Sequence, residues 1–313
     1  MYIGVDLGGT SVKVGLVDNN KLVEMRTSET GRDKSPHDLV ADIVRLSKEV
    51  MDEYNIDEGY VGSIGIGCPG LVHPKQGIII KTSNFDFENF HIKNEIKKSL
   101  DLDVYVENDA NVAALGEATV GAAKGKSSAV VVTIGTGVGG GIVIDGKIFS
   151  GAFAGAGEVG HQIIKFDDHM TCGCGRAGCW EQYASATALI NQAKAVASHK
   201  MIEIAGGYDN IEAKTVFDAA DQGDEVAWQV LNKYFDYLAI GLTNLINIIQ
   251  PEVIVLGGGI SAQKDKLVAP VVERVQAQMY GGLKLETSIV AATLGNSAGI
   301  IGAALVGPSK KSI

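Results

Sequence analysis

Two glycine-rich turns, each between two segments of strand character, restrict the fold of this chain more than any other feature of its sequence. The first turn, residues 7–10, lies between the apolar segment 2–6 and residues 11–18, in which apolar side chains alternate with others. The second turn joins segment 129–134 to segment 141–144. Because such alternation predicts strands, we expect two β-hairpins, each opening one half of a mixed α/β protein.

The known glycine motifs for nucleotides do not describe these turns. Gly135, Gly137 and Gly140 match the pattern G-x-G-x-x-G, but strand-like sequence follows them where that pattern requires a helix. We therefore reject a Rossmann interpretation. One such turn alone is more often an ordinary hairpin. The pair, together with the glycines at 257–259 after a third predicted strand, favours turns whose backbone N–H groups hold anions.

Polar side chains beside the first turn suit the same role. Asp6 ends the first predicted strand, and a lone carboxylate suits Mg²⁺ because this ion retains several of its water ligands. Thr10 and Lys13 follow closely in the sequence and would donate hydrogen bonds to phosphate oxygens. The sequence therefore predicts a phosphate site at the first turn.

Length and charge exclude several classes of protein. The chain has 313 residues, which is consistent with about two domains. Its formal net charge of −10 argues against nucleic-acid binding, which requires a basic surface. Asp6 interrupts the N-terminal apolar segment, and the uncharged run 127–144 is rich in glycine, so we expect neither a signal peptide nor a membrane span. A cytoplasmic enzyme is the leading class.

Three cysteines follow one another closely, and a histidine precedes them. Cys172, Cys174 and Cys179 are separated mainly by glycines, and His161 lies upstream. Three thiolates and one imidazole form a closed tetrahedral set for Zn²⁺. Clustered cysteines in a cytosolic chain are more often metal ligands than disulfides. We therefore predict a zinc site here, and a packed free thiol for the distant Cys68.

The histidine has a second ring nitrogen, which a metal bond would leave directed toward a ligand. Glu158 precedes His161 by three residues, and Glu181 follows the last cysteine by two. A lone carboxylate on a loop is usually only solvated. These three side chains flank the predicted zinc loop at both ends, so we expect them to converge on one pocket.

A further carboxylate lies in segment 107–111, which follows a predicted buried strand and opens a predicted helix. On this feature alone, Asp109 is more typical of an N-terminal cap than of a catalytic group. Its place at the carboxyl end of a strand favours catalysis, since ligands of open α/β sheets bind there. Both interpretations stay open at this point.

Together these segments resemble the ROK family of bacterial sugar kinases and related repressors, over nearly the whole chain. The resemblance rests on segments 6–10, 107–111, 134–141, 157–161, 172–181 and 257–259. The ordered zinc motif is the most specific of them. Residues 172–185 are most similar to family members that phosphorylate glucose.

The resemblance implies an actin-like, ribonuclease H-like α/β fold with two domains and an active site in the cleft between them. We expect a small domain at 1–115, completed by a C-terminal helix at about 297–313, and a larger domain at 116–296. A homodimer is the usual state in the family, so a homodimer is expected here.

The resemblance also implies roles for individual residues. ATP with Mg²⁺ would bind through Asp6, Gly8, Gly9, Thr10, Lys13, Gly135, Thr136, Gly137, Gly257, Gly258 and Gly259. The hexose, with glucose favoured, would be held by Gly70, Asn108, Asp109, Glu158, His161 and Glu181. Asp109 would act as the general base that takes the proton from the 6-hydroxyl group of the sugar.

Three alternatives are compatible with parts of this pattern. A ROK kinase for fructose, mannose or an N-acetylhexosamine would carry the same motifs. A sugar-sensing repressor would need a helix-turn-helix ahead of the first strand, for which a strand at residue 2 leaves no room, and the negative charge argues against it too. A zinc-stabilised sugar-binding protein without catalysis would have no use for Asp109 beside two phosphate turns.

Overall fold

The structure of the protein is a computed structural model. It describes residues 1–31, 34–82, 86–167 and 170–311. The chain divides into two compact units. Unit 1 consists of Met1–Val131, Gly141–Gly157 and Thr293–Ile313, and unit 2 of Val132–Gly140 and Glu158–Ala292. The domain boundaries expected at residues 115 and 297 stay a prediction, and Ser312 and Ile313 lie outside the described residues.

Strands and helices alternate irregularly along the chain. The strands are β1 (Tyr2–Leu7), β2 (Ser11–Asp18), β3 (Lys21–Glu29), β4 (Ile64–Cys68), β5 (Leu71–His73), β6 (Ile78–Lys81), β7 (Glu88–Phe90), β8 (Val104–Asn108), β9 (Ser128–Ile134), β10 (Val138–Ile144), β11 (Lys147–Ile148), β12 (Val253–Gly257) and β13 (Ser288–Ala291). The α-helices are α1 (Pro36–Glu53), α2 (Ile92–Lys97), α3 (Asp109–Thr119), α4 (Glu181–Ala184), α5 (Ala186–Ala195), α6 (His199–Ala205), α7 (Ala213–Asp221), α8 (Glu225–Ile249), α9 (Asp265–Ala277) and α10 (Ala298–Lys311). Within the described residues, no helix is both long and apolar enough to cross a membrane.

The strands form two five-stranded sheets and a small third one. The first sheet has the order β3-β2-β1-β4-β8, the second the order β11-β10-β9-β12-β13, and the third the order β5-β6-β7. Both predicted glycine turns connect strands that are neighbours in a sheet. The predicted hairpins are therefore present.

In the first sheet, three parallel strands end at the same edge. β1 pairs in parallel with β4, with Asp6 opposite Gly67, and β4 pairs in parallel with β8, with Cys68 opposite Asn108. The carboxyl ends of the three strands therefore meet at one edge of the sheet. This edge is where ligands of α/β sheets usually bind.

Many of the chain's 40 glycines allow close approach of backbones. A Cβ added at Gly4 would lie 1.9 Å from the carbonyl oxygen of Ile300, and one at Gly65 would lie 1.8 Å from that of Ala303. Both carbonyls belong to α10, so this helix rests directly on β1 and β4. The C-terminal helix is thus part of unit 1, although it follows unit 2 in sequence.

We expect Gly65→Ala to destabilise the protein by about 3 kcal/mol, because the helix backbone cannot yield to a methyl group without moving α10. Gly59→Ala is the matched control, since no atom lies within 4 Å of the added carbon there. Denaturant titration of both variants measures the effect. Equal stabilities for the two variants would contradict the packing described for α10.

Unit 2 is built around the long helix α8. Leu231, Phe235, Leu238 and Leu242 are buried on the stripe that the sequence predicts, but Trp228, expected on the same stripe, is 45% exposed. Trp228 lies in the first turn of α8, where the helix passes the edge of its core. The indole of Trp180, in contrast, is fully buried and donates to the carbonyl of Tyr237 at 2.7 Å.

Several elements differ from the sequence-based expectations. The sequence of residues 90–100 predicts one helix, whereas Phe90 ends β7 and the helix is limited to Ile92–Lys97. The strands β5, β6, β7 and β13 and the helix α9 were not expected individually. The small sheet consists of strands of three or four residues, which are too short to give a clear alternation of apolar side chains.

Candidate active site

The carboxyl edge of the first sheet brings together Asp6, Asp109 and Lys13. Asp6 ends β1, and its carboxylate lies 3.9 Å from the Nζ of Lys13, the residue opposite it on β2. Gly67, opposite Asp6 on β4, is so close to α3 that an added Cβ would lie 3.7 Å from the Cα of Asp109. Burial raises the pKa of Asp6, the ammonium group of Lys13 lowers it, and the carboxylate of Asp109 raises it further. Two neighbouring carboxylates of this kind suit a hydrated divalent cation.

The cap of helix α3 is provided by Asn108 rather than by Asp109. The Oδ1 of Asn108 accepts hydrogen bonds from the N–H groups of Ala110 at 2.9 Å and Asn111 at 3.3 Å. Asp109 is the first helical residue, and its Oδ1 accepts from the N–H of Ala110 at 2.8 Å. The question left open by the sequence is thus answered, since the helix has its N-cap without Asp109.

The electrostatic surroundings of Asp109 make its carboxylate a stronger base than usual. Burial raises its pKa, and hydrogen bonds from the N–H of Ala110, from its own N–H and from the side chain of Asn108 only partly offset that effect. A pKa moved toward neutrality suits a general base. The thiol of Cys68, on the neighbouring strand, also has a raised pKa, because it is buried and lies near Asp109.

Two backbone turns accompany this edge. In the first glycine turn, the N–H of Gly8 donates to the carbonyl of Ser11 at 2.9 Å, and Gly9 and Thr10 are exposed at its tip. Gly70 has φ +87°, and an added Cβ would lie 2.4 Å from the carbonyl oxygen of Lys81, so only glycine fits there. The Nδ2 of Asn108 donates to the carbonyl of Gly70 at 3.1 Å, which ties this turn to the cap of α3.

In unit 2, the predicted metal ligands form one cluster. One ligand atom from each of His161, Cys172, Cys174 and Cys179 lies within 4.8 Å of all the others. The Sγ of Cys172 is 3.6 Å from the Nδ1 of His161, and the Sγ atoms of Cys174 and Cys179 are 3.6 Å apart. Ligand atoms around tetrahedral zinc are separated by about 3.5–3.8 Å. The donor set and its spacing therefore fit a structural Zn²⁺.

The loop that carries the cysteines is held by its own backbone. Gly178 has φ +78°, and an added Cβ would lie 1.9 Å from the carbonyl oxygen of Lys165, so the loop can close only with glycine there. The guanidinium of Arg176 donates to the carbonyl of His161 at 2.9 Å. Hydrogen bonds from the N–H and guanidinium of Arg176 lower the pKa of Cys174 to about 6. A thiolate is thereby favoured at that ligand.

The orientation of His161 separates its two ring nitrogens. The Nδ1 faces the cysteine cluster, whereas the Nε2 lies 3.8 Å from a carboxylate oxygen of Glu158. The carboxylate of Glu181 lies 3.8 Å from Nδ1 and accepts from the thiol of Cys172 at 2.9 Å. Both glutamates thus lie beside the imidazole of His161, Glu158 near Nε2 and Glu181 near Nδ1, and Nε2 is the nitrogen that faces away from the cysteines. Convergence of the three side chains on one pocket stays a prediction.

The second glycine turn lies beside Glu181, the carboxylate that accepts from Cys172. The N–H of Gly135 donates to the carbonyl of Gly137 at 3.0 Å, and Thr136 is exposed at the tip. An added Cβ at Gly137 would lie 2.6 Å from the Oε2 of Glu181. The turn expected to hold phosphate and the carboxylate expected to hold sugar are therefore adjacent within unit 2.

The third group of glycines follows β12. Gly258 has φ +81°, and an added Cβ would lie 2.2 Å from the carbonyl oxygen of Ile134, at the end of β9. Gly258 and Gly259 are exposed, whereas Gly257 is buried. The glycines at 257–259 thus lie beside the strand that leads into the second glycine turn.

Sequence reasoning missed two residues that organise these sites. The sequence motif gives Glu107 no role of its own. In the structure its carboxylate is buried and accepts hydrogen bonds from Asn108 and Asn111. The sequence likewise indicates no role for Arg176, although its side chain forms hydrogen bonds with the carbonyl of His161 and with Cys174. A charged residue inside an otherwise buried strand was the available signal for Glu107. No comparable signal marked Arg176.

The sequence pattern that defines the ROK family matches residues 2–309, and the chain belongs to this family. It is 36% identical over 307 residues to a glucokinase of Halalkalibacterium halodurans, which covers 96% of this chain and 93% of that protein. It is also 30% identical over 316 residues to an N-acetylgalactosamine kinase of a Shewanella species, covering 98% of this chain and 96% of that protein.

A solved structure gives the corresponding likeness in three dimensions. A ROK family glucokinase from Streptomyces griseus, in complex with glucose and AMPPNP, matches with a TM-score of 0.82 and 33% identity, covering 97% of each chain. The predicted family and the predicted actin-like α/β fold are therefore confirmed.

Proposed function

We propose that this protein transfers the γ-phosphoryl group of ATP to the 6-hydroxyl group of glucose. The observation that carries the proposal is the position of Asp109, which lies beside Asp6 at the carboxyl edge of the sheet and is not needed as a cap. The likeness to relatives named glucokinase supports the choice of reaction and of sugar.

Each predicted site residue has a role in this proposal. Asp6 would hold hydrated Mg²⁺, which neutralises charge on the phosphates, and Lys13 and the amides of the glycine turns would bind phosphate oxygens. Glu158, Glu181 and the Nε2 of His161 would hydrogen-bond the hydroxyl groups of the sugar. Carboxylates suit a neutral polyol, because they accept from hydroxyl groups and repel acidic sugars.

The chemical step follows from the base at Asp109. Its carboxylate takes the proton of the 6-hydroxyl group while that oxygen forms a bond to the γ-phosphorus. The bond from the γ-phosphorus to the bridging oxygen breaks, and ADP leaves with the electron pair. Protein closure over the reactants would exclude water, which otherwise accepts the phosphoryl group in place of the sugar.

The zinc cluster acts in this proposal by orienting His161. A zinc ion bound at Nδ1 would fix the ring, so that Nε2 carries the proton and donates to the sugar. No bond to the sugar is proposed for the metal. A homodimer and a cytoplasmic location stay predictions.

A kinase for another hexose is the second candidate. The likeness to an N-acetylgalactosamine kinase favours it, because that relative covers the same length of chain. The fit of individual hydroxyl groups distinguishes the two candidates.

A panel of hexoses with ATP and Mg²⁺ tests both candidates. Glucose, fructose, mannose, N-acetylglucosamine, N-acetylgalactosamine and N-acetylmannosamine are compared by coupled release of ADP. We expect the highest kcat/KM for glucose. A higher value for another hexose would assign the second candidate, and no transfer to any sugar would contradict a kinase.

The raised pKa of Asp109 predicts an acid limb in the pH profile. A base acts only when deprotonated, so kcat/KM should rise with pH through the pKa of this carboxyl and then level off. Because burial raises that pKa, the midpoint should lie above the value of about 3.9 for an ordinary aspartate. Steady-state assays from pH 4 to pH 8, with circular dichroism as a check on folding, measure it. A midpoint at or below the ordinary value would contradict the proposed role.

A further inference from the structure

A cavity of about 740 Å³ is lined by residues of unit 1 and adjoins the predicted sugar-binding residues through Glu107, which precedes Asn108 on β8. Its walls come from the β5–β6 hairpin, from residues 147–154 and from the end of α10. Its volume is in the range of small-molecule sites, about 300–1,000 Å³. Among the described residues that line it, none belongs to the predicted catalytic, sugar, nucleotide or zinc sets.

The charge of this cavity is opposite to that of the protein. Lys75, Lys147 and Lys310 line it, whereas Glu107 is its only carboxylate among the described residues, and the chain as a whole has a net charge of −10. None of the three ammonium groups has an ion-pair partner within 4.0 Å in the part of the chain that the structure describes. The ammonium group of Lys310 lies over the ring of Tyr105, 5.6 Å from its centroid. Three ammonium groups without a close carboxylate partner around one cavity favour an anion.

Glu107 adds a requirement for a hydrogen-bond donor. Its side chain is 2% exposed, and its Oε1 accepts from the N–H of Asn108 and from the Nδ2 of Asn111, both at 3.1 Å. Among the described residues, the Oε2 has a single hydrogen-bond contact, from the hydroxyl of Ser150 at 3.5 Å. A buried carboxylate oxygen with one long contact is poorly satisfied. A hydroxyl group on a bound molecule would complete its hydrogen bonds.

Apolar side chains form much of the remaining wall, beside His73 and Ser309. Val72, Ile80, Ile148 and Phe149 line the cavity, and Phe149 is 49% exposed. Such surfaces suit the carbon-bound face of a sugar ring. We infer that this cavity binds a phosphorylated polyol, with its phosphate on the lysines and its hydroxyl groups on Glu107 and Ser150.

The position of Glu107 connects this site to the catalytic edge. The Oε1 of its carboxylate accepts hydrogen bonds from Asn108 and Asn111, at the N-terminus of α3, where Asp109 lies. The Oε2 is available to a ligand. A hydroxyl group that donates to Oε2 would draw the negative charge of the carboxylate toward that oxygen and weaken the hydrogen bonds that Oε1 accepts from Asn108 and Asn111. We expect occupancy to lower kcat and to leave the KM for glucose unchanged.

Calorimetric titration with glucose 6-phosphate tests the binding. The protein is first saturated with glucose and a non-hydrolysable ATP analogue, so that the active site is filled. We expect one further binding event, weakened at least about tenfold in the double variant Lys75→Gln/Lys147→Gln. Both lysines are exposed, so the variant should fold. Lys124→Gln/Lys126→Gln, which also replaces two exposed lysines of unit 1, is the matched control and should bind as the unmodified protein does.

The other outcomes would overturn the inference. No binding with the active site filled, or equal binding by the two double variants, would remove the site. Equal affinity for inorganic phosphate would identify a simple anion site rather than one for a phosphorylated polyol. A second glucose-binding event of equal affinity, seen while the protein is being saturated with glucose, would show that the phosphate and the lysines are not needed.

Kinetic assays test the connection to catalysis, and only this arm rests on the proposed function. At saturating glucose, glucose 6-phosphate should lower kcat, and Lys75→Gln/Lys147→Gln should be insensitive to it. Inhibition that saturating glucose abolishes would be ordinary product binding and would contradict the connection. A failed kinase assay leaves the titration result unaffected, so the two proposals can fail separately.

Discussion

Replacing Asp109 by asparagine is expected to lower kcat by about 10²–10⁴-fold, while the affinity for ATP stays nearly the same. Asparagine keeps the shape of the side chain and can still accept from the N–H of Ala110, so α3 and its Asn108 cap should remain intact. What is lost is the ability to take a proton. Steady-state kinetics with glucose give kcat, and fluorescence titration with a labelled ATP analogue gives the nucleotide affinity.

The control for this variant is Asp52→Asn, which makes the same change at an exposed carboxylate on α1. Its kcat should equal that of the unmodified protein. Substantial kinase activity in Asp109→Asn would remove this residue from the role of base. A loss of ATP affinity equal to the loss of kcat would instead indicate a general disturbance of the edge that Asp109 shares with Asp6.

The second large effect is expected from Cys172→Ser. We expect about one zinc per chain in the unmodified protein and loss of this zinc in the variant. Removal of a hydrogen-bond partner of a metal ligand lowers metal affinity by about 10–100-fold, and removal of a ligand itself should lower it at least as much. With His161 no longer held at Nδ1, the KM for glucose should rise by about tenfold or more. Elemental analysis and steady-state kinetics measure the two effects.

Cys68→Ser is the matched control, because Cys68 is also a buried thiol but lies on β4, outside the cluster. It should retain zinc even if it loses some stability. Fully active protein that contains no zinc would defeat the proposed role of the metal. Loss of zinc without any change in the KM for glucose would restrict the metal to folding.

The motif residues of the candidate site could be predicted because their chemistry is local in sequence. The cysteines lie on one short loop with His161 eleven residues upstream, so spacing alone predicts a metal-binding cluster, and the structure brings the four side chains together. The choice between a cap and a base at Asp109 could not be made from the sequence. Both Asn108 and Asp109 are good capping residues, and only the backbone geometry shows which side chain reaches the free N–H groups.

The fold was predictable where a single pattern extends over many residues. The long amphipathic stripe of α1 and the hairpin β1–β2 were expected and are present. The small sheet β5-β6-β7 depends on pairing of strands of three or four residues, which carry too little pattern of their own. The exposure of Trp228 and the role of Glu107 depend on which distant segments pack nearby. Such contacts are not encoded in local periodicity.

The docking of α10 on β1 and β4 has a consequence for biosynthesis. The first strands leave the ribosome early, but the helix that covers the glycines at positions 4 and 65 emerges only after all of unit 2 has been translated. Until then, one face of the nascent sheet lacks its cover and exposes apolar surface. We therefore expect unit 1 to complete its folding after unit 2, once α10 is available to cover the sheet.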